Sequence, residues 1–140
     1  MFLPDINIWL ALVFEAHTSH PVVETWFRNM GRISCRFCRV TQSGFLRLAT
    51  NPSVLGTSAR SMENAWQLYD TLLRDARIGF TDEPTGTEHL WRARTYTRTY
   101  SPKVWTDAYL AAFAEAGGLT LVTLDRALAT AEGDRAILLS

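Results

Sequence analysis

Three aspartates stand at positions where carboxylates could do chemistry. Asp5 follows Phe2-Leu3-Pro4, Asp125 follows Leu121-Val122-Thr123-Leu124, and Asp107 lies in the first turn of an apolar helix that starts near Trp105-Thr106. Carboxylates brought to one place repel each other unless a cation lies between them, and a ligand set made only of oxygen selects a hard ion such as Mg²⁺ or Mn²⁺. Magnesium keeps several of its waters and is commonly held by one or two carboxylates together with a substrate phosphate. The chemistry expected of such a set is phosphodiester hydrolysis by a metal-activated water. The structural alternative for Asp107 is a helix cap, because acids favour helix N-termini.

The elements that must position these acids follow from periodicity. Short, nearly all-apolar stretches at Phe2–Ile6, Ile33–Val40, Arg77–Thr81, Leu119–Leu124 and Ala136–Leu139 read as strands buried on both faces. Helical spacing covers Asn7–Glu15, Pro21–Met30, Thr41–Thr50, Ala59–Asp75, Thr87–Thr99 and Trp105–Ala116, with a short helix from Arg126. Asn51–Ser58, with Pro52 and Gly56, reads as a polar turn. Strands alternating with helices predict an α/β fold, a mostly parallel five-stranded sheet with helices on both faces. In such a sheet ligands bind beyond the carboxyl ends of the strands, where Asp5 and Asp125 stand.

At 140 residues the chain is expected to form one domain, residues 1–140, burying roughly 70% of its unfolded surface. With 47% hydrophobic and 20% charged residues it falls outside disordered, collagen-like and disulfide-scaffold classes. Its longest apolar run, Ile8–Phe14, is far short of the roughly 20 residues of a membrane span. No basic segment precedes that run as in a signal peptide, so no membrane association and a cytoplasmic location are expected. Fourteen cations balance fourteen acids, but all except Lys103 are arginines, and they cluster. Arg28, Arg32, Arg36, Arg39 and Arg47 share one acid-free stretch, and Arg92, Arg94, Arg98 and Lys103 share another, His89–Thr106. Arginine binds phosphate in bidentate fashion, so Arg39, Arg47, Arg94, Arg98 and Lys103 are candidate contacts to a nucleic-acid backbone. The alternative is an ordinary solvated helix face. Tyr96 and Tyr100, interleaved with Arg94 and Arg98, suit base stacking or, equally, packing at a dimer surface.

Four segments taken in order carry a resemblance. Leu3-Pro4-Asp5-Ile6-Asn7, Cys38-Arg39-Val40-Thr41-Gln42-Ser43-Gly44-Phe45-Leu46-Arg47-Leu48, Trp105-Thr106-Asp107-Ala108-Tyr109-Leu110-Ala111 and Val122-Thr123-Leu124-Asp125-Arg126 resemble PIN-domain ribonucleases, most closely the VapC toxins of bacterial toxin–antitoxin systems. The resemblance spans essentially the whole chain. It implies a PIN-like five-stranded sheet, a homodimer, Mg²⁺- or Mn²⁺-dependent cleavage of RNA leaving a 5′-phosphate and a 3′-hydroxyl, and a VapB-type antitoxin that covers the acidic pocket. Asp5, Asp107 and Asp125 match the family's metal-binding acids. Asn7 and Thr123 match residues that orient a carboxylate or a water beside them. Gln42 departs from the pattern, since many relatives carry Glu there. Its carbonyl would accept hydrogen bonds from waters of the metal, and Glu83 and Glu15 are candidate substitutes for the missing acid.

Rival readings rest on other residues. Cys35 and Cys38 form a C-x-x-C which, with His17 and His20, raises zinc or redox chemistry. Residues three apart in an extended segment point to opposite faces, so buried reduced thiols are the expectation. Asp5-Ile6-Asn7 also resembles the D-x-D opening of haloacid-dehalogenase-like phosphatases, although Asn7 cannot serve as the acid. A PIN-like module that binds RNA or protein but has lost turnover through Gln42 is the remaining alternative.

Overall fold

The computed structural model describes residues 1–140. Its strands are β1 (Phe2–Pro4), β2 (Cys35–Phe37), β3 (Ile78–Phe80), β4 (Thr120–Thr123) and β5 (Ala136–Leu138). They form one sheet in the order β3-β2-β1-β4-β5, and every pairing is parallel. Parallel neighbours need a crossover between them, which the helices provide. These are α1 (Ile6–Val13), α2 (His20–Asn29), α3 (Arg39–Ala49), α4 (Pro52–Leu55), α5 (Met62–Leu73), α6 (Thr87–Thr95), α7 (Val104–Gly117) and α8 (Arg126–Glu132).

Alternation along the strands divides the core into two sides. Phe37 and Cys35, two residues apart, point into a cluster with Trp9, Phe45 and Tyr69, where the Trp9 and Phe37 rings stack at 3.8 Å. Leu3 and Leu121, paired across β1 and β4, point the other way and pack on Leu110 and Phe113 of α7 and Leu128 of α8. The register that pairs Pro4 with Val122 brings the ends of β1 and β4 level with each other.

Several boundaries differ from the periodicity. The strand expected over Ile33–Val40 is only Cys35–Phe37, because α3 begins at Arg39. Thr41 Oγ1 accepts from the Cys38 backbone N–H at 3.0 Å, which fixes the helix start four residues after β2 begins. The polar turn Asn51–Ser58 holds the short α4, with Asn51 as its N-cap accepting from Ser53 N–H at 2.9 Å and Pro52 in its first turn. The helix expected over Thr87–Thr99 ends at Thr95, ahead of the Ser101-Pro102 break. Cys35 lies in the Trp9 cluster and Cys38 in the Leu110 cluster, on opposite sides of the sheet, and with His17 and His20 they form no metal-ligating group.

Candidate active site

Asp5 and Asp125 occupy equivalent places, each following a strand and capping the next helix. Asp5 follows β1 and is the N-cap of α1: its Oδ1 accepts from the Ile8 backbone N–H at 3.1 Å. Asp125 follows β4 and is the N-cap of α8, accepting from Leu128 N–H at 3.1 Å. Between them stands Thr123, fully buried at the end of β4. Its Oγ1 donates to Asp5 Oδ2 at 2.5 Å and accepts from the Asp125 backbone N–H at 2.9 Å. One hydroxyl therefore ties the two acids' positions together. Asp107, in the first turn of α7, completes the group on the same edge of the sheet.

The electrostatics reflect burial first and neighbouring like charge second. Burial, reinforced by the charge of Asp107, raises the Asp5 carboxyl to about 6, although Thr123 and the Ile8 N–H oppose the shift. Asp107 is likewise raised, first by burial and then by Asp125, with Lys103 acting against both. Asp125 is held below the usual carboxylate range by Lys103, whose Nζ donates to Asp125 Oδ2 at 2.5 Å, and by the Leu128 N–H. The Lys103 ammonium is raised in turn, mainly by Asp125, with Asp107 and Asp5 contributing. The three carboxylates do not converge as a closed ligand set. Two are occupied as helix caps, and Asp125 is turned to the ammonium.

Asp107 and Asp125 face a cleft of about 500 Å³ between α7 and α8, with Lys103 at the same end and Arg94 and Glu132 farther along. A second cavity of about 370 Å³ is lined by Ile6 beside Asp5, by Thr106 beside Asp107, and by Arg39, Ser43 and Arg47 of α3.

The other expected site residues divide. Thr123 contacts Asp5 directly. Asn7 is exposed, and what reaches Asp5 from it is the backbone N–H. Gln42 is turned away from the acids. It shares the buried face of α3 with Phe45 and Ala49, its Oε1 accepts from Arg39 at 2.5 Å, and it lies beside Tyr69. The face of α3 turned to Ile6 is presented by Val40, Ser43, Gly44 and Arg47, so it carries no acid, and at Gly44 an added Cβ would lie 2.2 Å from the Ile6 side chain. Glu83 accepts from the Tyr109 hydroxyl at 2.6 Å and Glu15 is exposed, so neither is bonded into the group.

Among the basic candidates, Arg39 lies over the Phe80 ring and Arg47 opens onto the second cavity. Arg98 is exposed in the segment after α6. Arg94 is largely buried and committed to Glu115 at 2.5 Å and Glu132 at 2.9 Å, so it is not free to meet a phosphate as the charge pattern suggested. Glu132 is the residue that sequence reasoning missed. Leu128 and Glu132 stand three and seven positions after Asp125, a spacing that places them on one helix face and was available as a signal.

Comparison with known proteins identifies the family and the fold. A family model described as PIN domain matches residues 2–133. Ribonuclease VapC41 of Mycobacterium tuberculosis is 44% identical over 132 residues, covering 91% of this chain and 90% of the relative, and Ribonuclease VapC44 of the same organism is 30% identical over 129 residues, covering 91% and 87%. Among solved structures, Mycobacterium tuberculosis VapC20, a sarcin–ricin loop cleaving toxin, superposes with a TM-score of 0.66 at 15% identity over 94% of this chain and 95% of that one. The VapBC2 complex of Rickettsia felis, bound to a DNA fragment from its promoter, gives 0.64 at 12% identity over 99% and 98%. These two share the fold. On the family model over residues 2–133 and the VapC relatives, the chain belongs to the PIN-domain family, within its VapC ribonucleases.

Proposed function

We propose that this protein is the toxin of a VapBC pair, an endoribonuclease that hydrolyses RNA phosphodiester bonds in the cytoplasm with Mg²⁺ or Mn²⁺, and that a VapB-type antitoxin neutralises it. The observation that carries the reading is the grouping of Asp5, Asp107 and Asp125 on one edge of the sheet, where Thr123 bridges Asp5 and Asp125 and the charge of Asp107 adds to the burial that raises Asp5 to about 6. An all-oxygen donor set under that electrostatic load suits a hard divalent cation. Membership of the VapC ribonucleases supports RNA as substrate. The antitoxin partner is supported by the fold shared with the Rickettsia felis VapBC2 complex. A homodimer is part of the same reading. No helix is long and apolar enough to cross a membrane.

The roles of the chain's own groups follow from their contacts. Asp5, Asp107 and Asp125 would hold the cation, which when bound supplies Lewis-acid polarisation of the phosphate and a water of lowered pKa. Thr123 keeps the Asp5 carboxylate aimed by donating to Oδ2. Lys103, now on Asp125, has a flexible stem and an exposed side chain, so it can leave that carboxylate for a phosphate oxygen when positive charge enters the site. Arg47 and Arg39, on the cavity beside Ile6 and Thr106, would hold a neighbouring phosphate of the same strand.

The test is cleavage of an end-labelled RNA panel by partner-free protein in Mg²⁺, Mn²⁺ or EDTA, beside Asp107→Asn and Asp125→Asn. Metal-dependent cutting that drops at least 100-fold in both variants is the expected result. Cutting that survives both substitutions, or that EDTA leaves untouched, would reject the assignment.

A further inference from the structure

The segment between α6 and α7, together with the helix ends that flank it, collects aromatic side chains on the surface. Trp105 is 56% exposed, Tyr96 is 90% exposed and Tyr100 is fully exposed. Trp105 is nevertheless held in place. Its backbone carbonyl accepts from Trp91 Nε1 at 3.0 Å, and the two rings meet edge to face at 5.9 Å. Trp91 in turn meets Tyr109 edge to face at 5.2 Å, and Tyr109 is anchored by its hydroxyl on Glu83 and by Phe113 in the core. A run of ring contacts thus leads from the core to an indole on the surface. A large ring left in water in a fixed orientation, with a second exposed ring beside it, marks a contact surface.

The surroundings indicate the kind of partner. Trp105 stands between two hollows. One, of about 300 Å³, is lined by Trp91, Thr95, Tyr96 and Trp105, with Arg92 and Glu88 at its rim paired to each other at 3.3 Å. The other, of about 180 Å³, is lined by the hydroxyl residues Thr95, Thr97, Thr99 and Ser101 together with Val104 and Trp105. Val104 also walls the cleft that Asp107 and Asp125 face, so the hydroxyl-lined hollow adjoins the acids across one side chain. Successive side chains of this first turn of α7 point about 100° apart. Val104 therefore meets the acid cleft, Trp105 the aromatic hollow, and Thr106 the arginine-lined cavity beside Ile6. No acid occurs from His89 to Thr106, and Arg98 and Lys103 are exposed there. Rings for bases, cations for phosphates and hydroxyls for backbone oxygens are the parts of a surface for a single nucleic-acid strand. The centre of a protein-binding patch is more apolar than four neighbouring hydroxyl residues allow.

We infer that Trp105, with Tyr96 beside it, is a stacking platform for one unpaired base of the RNA strand, a short way along the strand from the phosphate at Asp107 and Asp125. The inference rests on the ribonuclease reading above. The strand passes Val104 and the hydroxyl-lined hollow, the base lies on the Trp105 ring toward Tyr96, and Arg98 meets the backbone. Every base has a π-face, so the platform accepts any of the four. What it requires is a base free to leave its neighbours.

The experiment titrates full-length protein in EDTA with a labelled single-stranded RNA decamer of mixed sequence, and with a ribose–phosphate strand of the same length lacking its bases. Anisotropy across a salt series gives affinity, and tryptophan emission reports stacking. The decamer should quench wild-type emission and bind about ten-fold more tightly than the abasic strand. Trp105→Ala should lose about ten-fold for the decamer, keep the salt slope because no phosphate contact is removed, and bind the abasic strand as wild type does. Trp105→Phe, which keeps a ring, should bind within about three-fold of wild type with most of the quenching gone. Tyr96→Ala, which leaves the core untouched, should weaken the decamer by about three-fold and the abasic strand not at all. Wild type and Trp105→Ala binding the decamer within two-fold of each other, or Trp105→Ala losing as much on the abasic strand, would overturn the proposal. So would a changed oligomeric state of Trp105→Ala by light scattering with RNA affinity intact, which would make the patch a contact between copies. Trp105-dependent binding without metal-dependent cleavage would reject the nuclease assignment alone. Cleavage at sub-saturating RNA that Trp105→Ala leaves unchanged would reject the platform alone.

Discussion

Thr123 Oγ1 donates to Asp5 Oδ2 across the gap between β4 and β1, and the same oxygen accepts from the backbone N–H of Asp125. A side chain 118 residues away in sequence thus fixes the rotamer of the first acid while its own position is tied to the third. Thr123→Val keeps the shape and removes both bonds inside a fully buried setting. The expected cost is about 1–3 kcal/mol of stability and roughly 10–100-fold in metal affinity or cleavage. Thr123→Ser, which keeps the hydroxyl, should recover most of the activity. Urea melts and cleavage rates measured side by side check both statements.

The raised Asp5 carboxyl has a consequence for stability against pH. Its folded value is about 6 against 3.8 for an ordinary Asp, so between those values the folded chain retains a proton that the unfolded chain has released. Stability of the metal-free protein therefore falls as pH rises through that window. Asp107, shifted in the same direction, adds to the effect, whereas the contribution of the lowered Asp125 is lost only below the window. Asp5→Asn, which preserves helix capping, should be more stable than wild type by about 1–2 kcal/mol at pH 7 and show little advantage at pH 4. Denaturant titrations in EDTA at the two pH values measure this, and added Mn²⁺ should reverse the ranking at pH 7.

Gln42→Glu tests whether that position belongs to the acid group. Its side chain is on Arg39 and faces Tyr69 in the core, so a glutamate there would form an ion pair with Arg39 rather than a fourth carboxylate at the site. Metal affinity and cleavage should change by less than about three-fold. A gain of ten-fold or more would mean that α3 turns its other face to the acids.

The two arginine classes should separate in one experiment. Arg47→Ala should weaken RNA binding at low salt and reduce the salt slope by about 1, as for loss of one phosphate contact. Arg94→Ala should instead destabilise the protein, because it leaves Glu115 without its partner and the nearly buried Glu132 with only the long, exposed contact to Arg135 at 3.4 Å. Filter binding across a salt series, together with thermal melts, distinguishes a ligand contact from an internal clamp.

What the amino-acid sequence determined by itself was the architecture and the acids. Short apolar runs alternating with amphipathic stretches leave few arrangements other than a parallel sheet covered on both faces, and a parallel sheet places every strand's carboxyl end on one edge. Asp5 and Asp125 were therefore legible as neighbours before any coordinates, and Asp107 through its place in the first turn of α7. The tertiary structure decided what depends on the rotation of a helix about its axis and on contacts distant in sequence. Gln42 lies one residue from the face that lines the second cavity, and packing of Phe45 and Ala49 against the Trp9 core turns it away. Arg94 reads as a surface cation within its acid-free stretch, yet its partners arrive from α7 and α8, 21 and 38 residues away. Local periodicity specifies which residues share a face, but the direction that face takes is set by the sum of packing contacts from the rest of the chain.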